Sequence, residues 1–121
     1  MKTIIVDSDM LYRHMAPNDD ASQRTFLHLL TGQLETVQGD AKHDSNWIEI
    51  PRPTSDDLYR WFDEFLAKKG HPTFYSHNIG LWKRELATGQ DTEDWDRFER
   101  DRRLAFAKAS TTNSGIELAE G

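Results

Sequence analysis

The sequence contains no cysteine. This absence excludes disulfide cross-links, thiolate zinc sites, iron–sulfur clusters and cysteine nucleophiles, and it is typical of a reducing compartment. Long apolar runs are also missing, because no stretch approaches the roughly 18 apolar residues of a membrane span. Before the first acidic residue there are only three consecutive apolar residues, too few for the apolar region of a signal peptide. We therefore expect a cytoplasmic protein with no membrane association.

Positive charge is in deficit, whereas aromatic residues are plentiful. The chain has 15 basic and 21 acidic residues, which gives a net charge of −6. That charge repels phosphates, so direct nucleic-acid binding is disfavoured and a protein partner with a basic surface is favoured. Eight of the acidic residues but only four of the basic ones lie in residues 1–50. Six Phe, four Trp and three Tyr supply enough apolar area for a folded core.

The pattern of apolar residues predicts strands in the first half of the chain and helices in the second. The predicted strands are 2–6, 24–30, 33–37 and 47–50, and the middle two flank a hairpin turn at Thr31-Gly32. A short helix over 9–15 follows the first strand. Later helices are predicted over 55–69, 76–86 and 92–109, the last one capped by Asp91.

This order predicts an α+β fold, in which a small antiparallel sheet from the N-terminal half packs against three helices from the C-terminal half. We expect a single domain over residues 1–110 and a flexible C-terminal tail over residues 111–121. We expect Arg102 to pair with Asp63, Glu64 or Asp101, with its stem on the apolar face. The predicted structural residues are Trp61, Phe65, Trp82, Trp95, Phe98 and Arg102.

Five segments occur in an order that resembles a known family. They are VDSDML at 6–11, FLHLLTGQLE at 26–35, IEIP at 48–51 with SDDLYRWFDEF at 55–65, GLWKR at 80–84 and WDRFERDRR at 95–103. Together they resemble Uncharacterised Protein Family 0158, a group of small acidic bacterial proteins. The resemblance covers about residues 2–108. It implies a shared fold and no established activity.

Asp7 and Asp9 follow the first predicted strand directly and form a candidate metal site. Two carboxylates at a strand end can hold Mg²⁺ for phosphoryl transfer, as in nucleases and phosphatases. The run IIVDSDMLYR resembles the opening of PIN-like and five-prime exonuclease domains. Helix capping by Asp7 or Ser8 is favoured, because no later strand supplies another carboxylate followed by a helix. A metal-dependent phosphoryl-transfer enzyme remains the alternative function.

Basic residues concentrate in the helical half, where a nucleic-acid-binding face would comprise Lys83, Arg84, Arg100 and Arg103. Acidic residues precede many of these cations by four positions, the favourable order on a helix. The expected ion pairs are Glu93–Arg97, Asp96–Arg100 and Glu99–Arg103. A solvated, internally paired face is therefore favoured over nucleic-acid binding. The five histidines lack zinc-binding spacing, and His43 lies in a polar loop where solvation suffices.

The leading hypothesis is a non-catalytic binding or regulatory protein that needs no cofactor. It follows from the acidity, the aromatic excess and the lack of a coherent catalytic set. One form is an inhibitor whose carboxylates occupy a basic, nucleic-acid-binding surface of a protein partner. The candidate partner-binding residues are Asp19, Asp20, Glu35, Asp40, Asp44, Trp47, Glu49 and Tyr59.

Overall fold

The computed structural model describes residues 2–39 and 43–121, and these residues have an α+β fold, as predicted. In chain order the elements are β1 (Lys2–Val6), α1 (Ser8–His14), β2 (Gln23–His28), β3 (Leu34–Gln38), β4 (Trp47–Ile50), α2 (Ser55–Lys69), a 3-10 turn (Thr73–Tyr75), α3 (Ile79–Glu85), α4 (Gly89–Thr112) and β5 (Ile116–Glu120). In the described part of the chain, none of the helices has the length and apolar content that crossing a bilayer requires.

The strands form two separate sheets. The expected antiparallel sheet is present, with β2 in the centre between β3 and β4. The first strand does not belong to it. Instead, β1 pairs in parallel with β5, in a register that runs from Lys2 opposite Ile116 to Val6 opposite Glu120. A parallel pair needs a long crossover, and here the crossover comprises all the other elements of the fold.

The prediction of a flexible tail over residues 111–121 is wrong, and the domain boundary at residue 110 falls too early. Helix α4 continues to Thr112, and Ile116–Glu120 forms β5. The side chains of Ile116 and Leu118 are buried in the core, whereas Glu117 between them is exposed. This alternation is the period-two signal of a strand with one covered face. It spans too few residues to be distinctive without its partner β1.

Local capping signals decide where the long helices begin and end. Thr54 and Asp57 form a capping box at the start of α2, and Gly70 ends that helix in the left-handed conformation. Helix α4 begins at Gly89, earlier than predicted, because Thr88 is its N-cap and Asp91 is the reciprocal partner three residues later. The hydrogen bond from the Thr88 backbone N–H lowers the pKa of Asp91, although its burial opposes the shift.

Two hydrophobic clusters make up the interior of the described residues. The aliphatic core combines both sheets with α1 and α4, and its buried residues are Ile4, Val6, Leu11, Met15, Leu27, Leu34, Ile50, Leu104, Ala107, Ile116 and Leu118. The aromatic core lies among α2, α3 and α4, and its buried residues are Trp61, Phe62, Phe65, Leu66, Trp82 and Trp95. Phe98 is half-buried beside the aromatic core, and Phe106 packs against both clusters.

The buried indole of Trp82 shows how the aromatic core satisfies its polar atoms. Its Nε1–H donates to Nδ1 of His71 at 3.0 Å. An indole nitrogen can only donate, so the neutral imidazole carries its proton on Nε2. That nitrogen faces Asp91 at 4.0 Å, and Asp91 also pairs with Lys69. The loop after α2 is thereby tied to the core, because leaving a buried N–H without an acceptor is unfavourable.

Gly32 is required in the turn between β2 and β3, and we expect Gly32→Ala to destabilise the protein strongly. Its φ is +74°, and a Cβ at this position would lie 2.0 Å from the carbonyl oxygen of Ile5. The left-handed strain and the backbone clash together predict a loss of about 3 kcal/mol. Gly70→Ala is the matched control, because φ is +68° there but nothing lies within 4 Å. It should cost about 1–2 kcal/mol in urea unfolding. Equal losses for the two variants would contradict the close contact.

The ordered position of β5 gives a second expected outcome. Leu118 is 5% exposed, so Leu118→Ala should reduce the free energy of unfolding by about 2–5 kcal/mol through lost burial and a cavity. Glu117→Ala, at the exposed neighbouring position, should change it by less than about 0.5 kcal/mol. Urea unfolding of both variants measures the difference. Similar, small effects would show that residues 116–120 do not pack on the core.

Candidate functional site

The candidate functional site is the face of the three-stranded sheet that points away from the aliphatic core. Residues opposite one another in an antiparallel pair lie on the same face. Thr25, Leu27 and Ile50 lie on the inner face and are fully or almost fully buried. The alternate positions form what we call the outer face, which comprises Arg24, Phe26, His28, Glu35, Val37, Trp47 and Glu49.

The central row of the outer face places one aromatic ring between two carboxylates. Phe26 lies on β2 directly opposite Glu35 of β3 and Glu49 of β4. Cross-strand neighbours of this kind have Cβ atoms about 4.5–5.5 Å apart. Each carboxylate is therefore within reach of side chains that also contact the ring. The carboxylates of Glu35 and Glu49 therefore lie on either side of the Phe26 ring.

Arg24 neutralises one of these carboxylates through a two-pronged hydrogen bond. Its Nε donates to Oε2 of Glu49 at 2.9 Å, and its Nη2 donates to Oε1 at 3.1 Å. The guanidinium carbon lies 5.1 Å from the centre of the Phe26 ring. The hydrogen bonds from Arg24 lower the pKa of Glu49, although partial burial opposes the shift. Glu49 is therefore held as a carboxylate.

His43 contacts the other carboxylate, that of Glu35, and covers the ring of Phe26. Its imidazole stacks on Phe26 with ring centres 4.1 Å apart, and its Nε2 lies 3.4 Å from Oε2 of Glu35. The side chain is only 11% exposed. The prediction that His43 is a solvated loop residue is therefore wrong. Phe26 is buried largely because His43 and Arg24 contact it, although it lies on the outer face.

Trp47 is the half-exposed aromatic residue of the outer face. His28 meets it edge-on at 4.8 Å, and His43 does so at 5.0 Å. His28 is itself fixed, because its Nδ1 accepts hydrogen bonds from the backbone N–H groups of Leu30 and Thr31, both at 3.2 Å. The indole therefore has a defined orientation in the free protein. A rigid aromatic ring beside carboxylates is well suited to protein contact.

The structure brings Glu35, Trp47 and Glu49 of the predicted partner-binding set onto the outer face. Asp44 lies in the turn before β4, where its carboxylate accepts from the Asn46 backbone N–H at 2.8 Å, so it borders Trp47. Asp40 lies outside the described residues. Sequence reasoning missed Phe26 and Arg24 as members of the face. The alternation of Arg24, Phe26 and His28 with Thr25 and Leu27 was the signal that could have found them.

The remaining predicted partner-binding residues have other surroundings. Asp19 accepts from the Ser55 hydroxyl at 2.6 Å and from its backbone N–H at 2.8 Å, which lowers the pKa of Asp19 and secures the start of α2. Asp20 bonds to the hydroxyl and N–H of Ser22 before β2, which also lowers its pKa. Tyr59 lies half-buried on α2, with its ring 4.8 Å from that of His77.

The two carboxylates of the candidate metal site are used by the fold. Asp7 is the N-cap of α1, and its carboxylate accepts from the Met10 backbone N–H at 2.9 Å. Asp9 pairs with Nη2 of Arg100 at 2.7 Å. Within residues 2–39 and 43–121, no three or more His, Asp or Glu side chains come together to hold a metal ion.

The basic residues of the helical half pair differently from the predicted spacing. Glu99 and Arg103 form the expected ion pair at 2.6 Å. Arg97 instead lies 3.7 Å from Asp94, and Arg100 reaches Asp9 because α1 packs beside α4. Arg102 pairs with Glu64 of α2 at 2.6 Å, one of the three acids considered for it, and lies over the Phe98 ring at 4.9 Å. Lys83 and Arg84 are exposed on α3.

The comparisons with known proteins add no relative. No protein-family model matches the chain, no curated protein matches it, and no solved structure matches its fold. The resemblance to Uncharacterised Protein Family 0158 therefore stays a prediction.

The pair of Arg24 and Glu49 makes the outer face sensitive to acid. The folded-state pKa of Glu49 lies below the ordinary glutamate value of 4.5. The pair therefore stabilises the fold above pH 4.5, and this contribution is lost as the pH falls through the lowered pKa. In Arg24→Gln we expect the Glu49 titration midpoint to rise toward the ordinary value. Carboxyl ¹³C NMR of both proteins measures it. An unchanged midpoint would contradict the pairing.

Proposed function

We propose that this chain is a non-catalytic binding protein whose outer face engages a basic surface of a protein partner. The observation that carries the proposal is the arrangement on that face, where Trp47 stands half-exposed in a fixed orientation beside Glu35 and Glu49. An aromatic anchor surrounded by charged groups is the usual anatomy of a protein interface.

Preorganisation supports the same function. Ordering a side chain on binding costs free energy, so an anchor that is already fixed binds more favourably. The contacts of His28 and His43 hold the Trp47 ring before any partner arrives. Beside this ring, the surface presents the carboxylates of Glu35 and Glu49 and the side chains of Arg24 and His43 that cover Phe26.

Charge supports a basic partner. The chain carries a net charge of −6, and the three strands of the antiparallel sheet lie in the acid-rich residues 1–50. A surplus of one sign steers a partner of the opposite sign toward that surface and accelerates association. In one form of the proposal the carboxylates take the place of phosphates, and the chain inhibits a nucleic-acid-binding protein by masking its basic surface.

The two other proposed functions, phosphoryl transfer and nucleic-acid binding, have less structural support. Metal-dependent phosphoryl transfer needs free carboxylates at Asp7 and Asp9, but one caps α1 and the other pairs with Arg100. Of the four cations proposed for a nucleic-acid-binding face, Arg100 and Arg103 are paired with acids, which leaves Lys83 and Arg84 exposed on α3. Membership of Uncharacterised Protein Family 0158 and a cytoplasmic location remain proposals that rest on the sequence alone.

Two double variants of equal net charge test whether the outer face is the binding surface. The probe is a capped peptide of alternating lysine, arginine and glycine, and the readout is NMR titration at low and high salt. Glu35→Gln with Glu49→Gln should weaken binding about tenfold, because both face carboxylates are lost. Glu85→Gln with Glu117→Gln removes the same charge at exposed positions off the face and should weaken binding about twofold.

The indole N–H signal of Trp47 reports the location of the peptide. It should shift on binding, whereas the indole signals of the buried Trp61, Trp82 and Trp95 should not. Trp47→Ala should weaken binding further. Equal weakening by the two double variants, or an unmoved Trp47 signal, would show that the peptide binds by overall charge and would overturn the proposal.

A further inference from the structure

We infer that the outer face recognises arginine in preference to lysine, and that Arg24 occupies the guanidinium site within the free protein. The inference rests on the proposed function and specifies the chemistry of its partner. Glu49 and Phe26 form the site, and the side chain that fills it is the chain's own. Trp47 lies beside it on the outer face.

The geometry of Arg24 shows what the site accepts. Two parallel N–H donors meet the two oxygens of Glu49, at 2.9 and 3.1 Å, while the planar group lies over an aromatic ring. A guanidinium matches both features, because its donors are fixed in a plane that can pack on a ring. An ammonium group is compact and strongly hydrated and has no planar pair of parallel donors, so it matches this arrangement less well.

The occupant is exchangeable because the ion pair reaches solvent. The side chain of Arg24 is 37% exposed and that of Glu49 is 43% exposed. Ion pairs exposed to this extent contribute little to stability, so exchanging the guanidinium that is bonded to Glu49 changes little in that pair. When Arg24 swings away, it frees both the carboxylate and the Phe26 surface that it covered.

Contact with Trp47 can favour a partner's arginine over Arg24. It lies two residues before Glu49 on the same strand, so both side chains project from the outer face. An arginine from a partner can bond to Glu49 while the rest of its segment packs on the indole. The exchange therefore adds aromatic contact area to an ion pair that the face already makes.

Removing Arg24 tests this inference directly. The probes are two capped peptides, one with four arginines separated by glycines and one with four lysines in the same positions. In Arg24→Ala the arginine peptide should bind about tenfold tighter than in the unmodified protein, because the guanidinium site is vacant. It should also bind that variant about tenfold tighter than the lysine peptide does. Adding Glu49→Gln should abolish both differences.

A matched variant separates the site from net charge. Arg84→Ala removes the same positive charge from an exposed position on α3, so it should tighten both peptides alike and only slightly. Urea unfolding establishes that each variant is folded, and Arg24→Gln replaces Arg24→Ala if the latter is not. The Trp47 indole N–H signal should shift most with the arginine peptide.

The outcomes distinguish this inference from the proposed function. Equal gains in affinity for the two peptides in Arg24→Ala, or an equal gain in Arg84→Ala, would overturn the guanidinium site. The proposed function would then stand with a basic partner that is recognised by charge alone. Binding of neither peptide to any variant would overturn the proposed function itself. A gain confined to the arginine peptide and lost with Glu49→Gln supports both.

Discussion

The parallel pairing of β1 with β5 is the constraint on which the rest of the fold depends. It joins strands that are separated by all the other elements, and it places Ile4 and Val6 beside Ile116 and Leu118 in one core. Helix α1, which follows β1 directly, packs against α4. Gly32, at the tip of the β2–β3 hairpin, lies against the carbonyl group of Ile5 in β1. These contacts cover the inner face of the antiparallel sheet and leave its outer face available.

The outer face of a half-covered sheet must be compatible with water and still pack tightly against its own neighbours. Here Phe26 is shielded by Arg24 and His43, and the same two side chains contact the carboxylates of Glu49 and Glu35. The face is therefore neither a bare apolar patch nor a bare acidic one. Each of its carboxylates already has a neighbour on the same face.

Local signals in the sequence predicted the elements whose causes are local. The apolar stripe of α2 and the turn glycine at position 32 both act within a few residues. Strand β5 was missed because its partner is distant in the sequence. The pairing of Arg100 with Asp9 and the stacking of His43 on Phe26 were missed for the same reason, since each joins segments that only the tertiary fold brings together. Of the site, Glu35, Trp47 and Glu49 were predicted from residue type, but their common face required the strand register.

Helix α4 runs through both hydrophobic clusters. Its first half supplies Trp95 to the aromatic core, its second half supplies Leu104 and Ala107 to the aliphatic core, and Phe106 contacts both. One continuous backbone of 24 residues therefore carries core side chains of both clusters. The helical repeat sets the spacing between the aromatic and the aliphatic interior, so the two are joined by a rigid element rather than by a linker.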